Sequence, residues 1–247
     1  MANENASQPK RTFLSAEWRD LVMLNYEVVP SLLDRYLPAG TTLDLFDGKI
    51  YVSLVGFRFC RTKLYGHFPV PFHSDFDEVN LRFYVRRDAD SEIRRGVVFI
   101  AEIVPRRAIA MTARLVYGEN YKCAPMKHRI ETSGASKTAE YQWQIQGQWC
   151  RLSAQTAGFP AHPQEQSVEQ FITEHYWGYS AQRAGRCLEY YVSHVPWRVW
   201  STTVASFAGD ASAFYGRELG SVLQRAPESA FVAEGSPVLV FKGKRIQ

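Results

Sequence analysis

The chain has 247 residues, 46% hydrophobic and 22% charged, with a formal charge of +4. This is enough apolar material for a full core, and one domain over residues 13–247 behind a flexible polar tail at 1–12 is preferred to two small domains. The mild, scattered positive charge argues against a nucleic-acid partner, and the absence of any run near 18 apolar residues argues against a membrane-spanning helix. The opening MANENASQPKR lacks the apolar segment of a signal peptide, so a cytoplasmic protein is expected. Cys60, Cys123, Cys150 and Cys187 have no CxxC or metal-finger spacing and read as separate thiols of a reducing compartment. The 13 Tyr, 15 Phe and 6 Trp favour a β-rich fold.

In chain order, residues 21–29 read as a first strand, and Pro30 opens a short helix over 31–36. A hairpin follows, with strands at 43–46 and 49–59 about an Asp47-Gly48 turn. Residues 61–73 carry Gly66, Pro69 and Pro71 and read as a loop or edge segment. Residues 76–87 alternate without a break. Glu78, Asn80, Arg82, Tyr84 and Arg86 share one parity, and Val79, Leu81, Phe83 and Val85 share the other. Successive strand side chains point to opposite faces, so this is a strand with one apolar and one chemically dense face. The dense face fits either the lining of a polar cavity or a plain solvated surface.

Residues 96–104 are almost wholly apolar and read as a strand buried on both faces, with Glu102 its exception. A buried helix is predicted over 108–117, ended by Gly118. Strand resumes at 121–130, and 141–146 with 149–155 form a second hairpin candidate. Ser167 caps a helix from 168 to about 175. Strands at 186–194 and 199–207, a helix over 211–224 and a final strand at 237–241 complete the pattern. Many antiparallel strands with a few inserted helices fit a curved sheet or closed barrel.

Hydrolase, nucleotide and zinc-helix motifs are absent. His67, His73, Asp75 and Asp77 lie close in sequence, but charged residues are expected beside a loop, and no metal or cofactor is predicted. Glu102 inside an apolar strand reads as a satisfied core carboxylate, with Arg82, Arg106, Arg107 and Arg114 as candidate partners.

The runs DLFDGKIYVSLVGFRF, DEVNLRFYVR, RGVVFIAEIVP, ARLVYGENYKCAPM and FITEHYWGY resemble the YqjF-like group of uncharacterised bacterial proteins, placed in the acetoacetate decarboxylase-like superfamily. The resemblance spans residues 13–241. It implies a mainly β fold, a cone-shaped antiparallel β-barrel around a central cavity, and brings no known activity. The decarboxylases of the superfamily use a lysine activated by a neighbouring cation in a desolvated pocket, a case the general chemistry of nucleophilic lysines already includes. That lysine pair follows a Gly-x-Pro element, which corresponds here to Gly118-Glu119-Asn120-Tyr121-Lys122. Tyr121 then occupies the imine-forming position and Lys122 that of its neighbour.

A phenol forms no imine, so lyase-like chemistry of the usual kind is demoted. Glu78 matches a cavity-facing glutamate of the decarboxylases. The resemblance therefore implies Glu78, Tyr121 and Lys122 as the candidates for chemistry. Arg82, Asn80, Tyr84 and Arg114 are the candidates for ligand contact, the ligand being a small organic acid or carbonyl compound. Three functions stay open: a binding barrel, an enzyme working without an imine, and an interaction protein whose polar strand face is structural. Barrels with spare edge strands often pair, so a homo-oligomer is compatible with this reading.

Overall fold

The computed structural model describes residues 11–69, 74–89, 92–107, 110, 118, 120–182 and 185–246. Strand β1 (Thr12–Val28) begins well before the expected start, because its polar N-terminal half is paired on both sides. Two 3-10 turns, Pro30–Leu32 and Asp34–Tyr36, replace the short helix. Strand β2 (Thr42–Leu43) leads into the Asp47-Gly48 turn, both residues at positive φ, and then β3 (Ile50–Leu64). The turn stands, but β2 pairs with β5 instead of β3.

Part of the predicted loop at 61–73 is also strand, as the end of β3 and β4 (Phe68–Pro69). Strands β5 (Phe76–Ala89) and β6 (Glu92–Val104) pair antiparallel along most of their length. The helix expected at 108–117 lies outside the described residues except for Ala110. The strand expected at 121–130 splits at Ala124-Pro125 into β7 (Tyr121–Cys123) and β8 (Met126–Ser133).

Strands β9 (Ser136–Ile145) and β10 (Gln148–Thr156) form the second hairpin about Gln146-Gly147. Helix α1 (Val168–Thr173) starts with the Ser167 hydroxyl accepting the Gln170 amide proton. Strand β11 (Trp177–Ala181), not anticipated, precedes β12 (Cys187–Ser193) and β13 (Val199–Ala208). The expected helix at 211–224 breaks at Gly216, whose φ is +83°, into α2 (Ser212–Tyr215) and α3 (Arg217–Leu223). Strands β14 (Ser229–Phe241) and β15 (Lys244–Ile246) end the chain.

The pairings run β12-β11-β6-β5-β3-β1-β14, and β14 pairs back with β12 through Val192 with Val240 and Ser193 with Leu239. The sheet therefore closes into a ring. Glu189, fully buried on β12, accepts hydrogen bonds from Arg87 of β5, Arg94 of β6 and the Tyr179 hydroxyl of β11, which ties β12 to the strands that follow it in the ring. Strand β13 starts beside β14 and then crosses to β10, carrying β10, β9 and β8 as a second layer over the ring.

The two faces of the ring wall now separate. Val22, Leu24, Val52, Leu54, Val79, Leu81 and Phe83 face outward into a core shared with Tyr141, Trp143 and Leu152 of the second layer. Gly56 lets that layer approach, since a Cβ there would meet the Tyr141 ring at 2.8 Å and the Leu152 side chain at 3.0 Å. Lys137 pairs with Asp20, and the Tyr141 hydroxyl donates to the Asp20 carbonyl at 2.9 Å, where β1 shifts register. Because the apolar face of β5 is already spent on this outer core, its polar face turns into the ring.

Candidate functional site in the ring cavity

The ring encloses a cavity of about 220 Å³. Its wall includes Glu78, Asn80 and Arg82 of β5, Glu102 of β6, Tyr121 of β7 and His175 after α1. All of these side chains are buried, Glu78 at 2% and Arg82 at 7% exposure, so the row is not an outer surface.

A break in strand periodicity assembles the group. Leu81 pairs with Ala101, but Arg82 pairs with Phe99, so Ile100 is an extra residue on β6. The Asn120 side chain donates to the Ile100 carbonyl at 3.1 Å. Before the bulge, Val97 and Phe99 face the cavity; after it, parity reverses, and Glu102 faces inward beside Asn80. Parallel pairing with Glu102 then places Tyr121 in the same transverse row. The inward position of Glu102 comes from this bulge, which no pattern in the sequence announces.

Glu78 is the centre of the hydrogen bonding. Asn80 Nδ2 donates to its Oε1 at 3.0 Å, and the Tyr121 hydroxyl donates to its Oε2 at 3.3 Å. Burial pushes the Glu78 carboxyl up to about 7, against the opposing pull of Asn80, Tyr121 and the Arg82 charge. Arg82 is different. Its guanidinium donates to Met23 Sδ at 3.9 Å and lies 5.9 Å from the Tyr84 ring centre, and no carboxylate among the described residues is within ion-pairing distance. Asn80 Oδ1, Arg82 Nε, Thr62 Oγ1 and Trp18 Nε1 are buried atoms of wall residues with no hydrogen-bond partner among the described residues.

Two candidates are relocated. Lys122 follows Tyr121 and points the other way, donating to the Phe214 carbonyl at 2.9 Å with its ammonium 4.7 Å from that ring. Strand alternation thus gives the cavity to Tyr121 and corrects the expectation of Lys122 as a chemical group there. Tyr84 shares the inner face but stops short of the cavity. Its hydroxyl is 2.6 Å from Ser53 Oγ, which donates to Asn25 Oδ1, and Asn25 Nδ2 donates to Ser229 Oγ at 2.9 Å. Having committed its one proton to Asn25, Ser53 accepts from Tyr84. Tyr84 therefore supports the wall beneath Arg82 and is not among the residues that line the cavity. Arg114 lies outside the described residues. Asp77 meets His128 at 2.8 Å and Asp75 accepts the Arg61 amide proton, so the loop carboxylates are engaged singly.

Sequence reasoning missed His175. Its Nε2 is 3.0 Å from Asp44 Oδ2, which also accepts from Arg95 Nε at 2.7 Å. Burial pushes the imidazole down to about 4, so it is neutral at pH 7. Burial alone would raise the Asp44 carboxyl, but the His175 and Arg95 hydrogen bonds hold it below the usual range. A lone histidine after a capped helix gives no sign of this partner, which sits 131 positions away.

The sequence pattern of the DUF2071 family, described as an uncharacterized conserved protein, matches residues 15–237. The chain belongs to this family. The uncharacterized protein YqjF of Bacillus subtilis (strain 168) is 22% identical over 195 residues, 78% of each chain. Among solved structures, acetoacetate decarboxylase from Legionella pneumophila superposes with a TM-score of 0.67 at 13% identity, covering 100% of this chain and 92% of that one. The enduracididine biosynthesis enzyme MppR complexed with pyruvate gives 0.68 at 14% identity, covering 99% and 93%. An acetoacetate decarboxylase-like enzyme from Sphingomonas wittichii RW1 gives 0.65 at 12% identity, covering 96% and 93%. At these identities the likeness establishes the acetoacetate decarboxylase-like fold for this family member.

The raised Glu78 carboxyl has a consequence for stability. The folded chain holds this proton up to about pH 7, whereas an exposed glutamate releases it near 4.5. The contribution is fully present below 4.5 and is lost as pH rises through 7. Urea unfolding of wild type and Glu78→Gln should show the variant gaining relative stability between about pH 4.5 and pH 8, on the order of 3 kcal/mol. A stability difference that is flat across that range would show that Glu78 ionises normally.

Proposed function

We propose that the protein binds a small carboxylate- or carbonyl-containing molecule in the ring cavity. The observation that carries this reading is Arg82, a guanidinium at 7% exposure on the cavity wall with no carboxylate partner among the described residues. Burying a cation without a counter-ion is costly, and a bidentate carboxylate offsets that cost with two charge-assisted hydrogen bonds. The second N–H of the Asn80 amide is a wall donor suited to a carbonyl oxygen on the same ligand, and the Tyr121 hydroxyl becomes a second donor when a protonated Glu78 donates to it instead. The fold neighbour MppR, solved with pyruvate, supports the choice of an oxo acid as first probe.

A second reading, an enzyme acting by proton transfer, is favoured by Glu78. A carboxyl that titrates near 7 and touches the Tyr121 hydroxyl is suited to take a proton from, or give one to, an oxo or enol substrate. This chemistry needs no imine. The burial of Glu78, Asn80 and Arg82 leaves the third reading, a polar strand face serving as an interaction surface, without its main support.

Two experiments test these readings. In calorimetric titrations with pyruvate and acetoacetate, Arg82→Met should weaken binding by about 30-fold or more, and Arg82→Lys by less, because lysine keeps the charge but loses the fork. Equal affinity for wild type and a folded Arg82→Met would overturn the assignment. In borohydride trapping with β-keto acids, intact-mass analysis should find no adduct on Lys122, whose ammonium sits outside the cavity on the Phe214 carbonyl. A reduced adduct at Lys122 would restore imine chemistry.

A further inference from the structure

The charged wall groups Glu78, Arg82 and Glu102 are carried by β5 and β6, whereas β1, β3 and the segment before β13 bring Trp18, Phe57, Phe59 and Trp197 to the same cavity. Trp18 of β1 lies at the centre of these rings. Its ring meets Phe57 at 5.5 Å and 70°, Phe59 at 5.8 Å and 78°, and Trp197 at 6.1 Å and 65°, all edge-to-face. Trp197 is fixed in turn, since its Nε1 donates to Ser236 Oγ at 3.0 Å and its ring stacks on His194 at 4.2 Å. Burial pushes His194 down to about 4, so this aromatic group carries no charge at neutral pH. Phe99 lies directly across the strand pair from Arg82 and also lines the cavity.

The cavity wall therefore combines two chemistries, a charged cluster and an aromatic one. A short acid satisfies the polar side and leaves the rings against water. A cavity of 220 Å³ approaches the roughly 300–1,000 Å³ typical of drug-sized ligands and far exceeds the ~15 Å³ that one water needs. Edge-to-face aromatic walls favour a flat apolar ring over a flexible chain, because a ring inserts with correct quadrupole geometry and little entropy loss. We propose that the ligand is an oxo acid bearing an aryl group, its carboxylate toward Arg82 and its ring against Trp18, Phe57 and Trp197. This inference rests on the carboxylate reading above and specifies the remainder of the molecule.

The test compares three ligands by calorimetry: pyruvate, 2-oxo-4-phenylbutanoate, and the neutral ketone 4-phenylbutan-2-one. On wild type, the aryl acid should bind roughly 30-fold or more tightly than pyruvate, the gain expected from burying one phenyl ring. Trp18→Ala, with Phe57→Leu as a milder alternative should the first fail to fold, should lower the ratio of aryl-acid to pyruvate affinity about tenfold. Arg82→Met should instead lower the ratio of aryl-acid to ketone affinity. Pyruvate binding as well as the aryl acid, or better, overturns the aryl assignment and leaves the carboxylate reading standing. Ketone binding that depends on Trp18 while neither acid binds keeps the aromatic cluster and overturns the carboxylate reading.

Discussion

A carboxylate and a guanidinium on one strand, both turned away from bulk water, set the terms for this protein. Glu78 and Arg82 lie four residues apart on β5, facing the same enclosed space, without meeting as an ion pair. Glu78 is accommodated by hydrogen bonds and by holding its proton. Arg82 has no carboxylate partner among the described residues, and under the proposed function an anion from outside the chain supplies one. Under the proposed function, a site that keeps one acid near neutrality and one cation without a carboxylate receives a negatively charged molecule.

The rest of the fold maintains that condition. The ring must close, or the inner face of β5 would meet solvent; the buried Glu189 with Arg87 and Arg94 holds the closing strands. The outer layer must cover the ring, or the apolar face of β5 would compete for the inside; Gly56 and the Asp20–Lys137 contact let it dock. The extra residue at Ile100 then turns Glu102 inward without disturbing the outward packing of Val98 and Ile103. Each device acts on which face a side chain presents, the one variable a strand offers.

Much of this was legible in the sequence because β5 alternates so strictly. Its parity grouped Glu78, Asn80 and Arg82, the Asp47-Gly48 turn exists although the strand before it pairs with β5, and the hairpin expected of 141–146 with 149–155 is formed by β9 and β10. What parity cannot tell is which face is inside, and both faces proved to be buried. Alternation also included Tyr84, which the Ser53–Asn25 chain withdraws from the cavity. Strand β11 went unread; a Cβ at its Gly178 would overlap the Tyr190 ring, so the glycine permits a close approach within the sheet. The Glu102 bulge, the His175–Asp44 contact and the ring closure depend on partners far apart in the chain.

The central claim is that Arg82 is held for an anion inside the ring. A crystal structure of the protein with a bound 2-oxo acid tests it most directly. The account predicts both carboxylate oxygens about 2.8 Å from the Arg82 guanidinium, with the oxo group near the Tyr121 hydroxyl or the Asn80 amide. A carboxylate bound elsewhere, with Arg82 turned onto Glu78 as an internal pair, would contradict it.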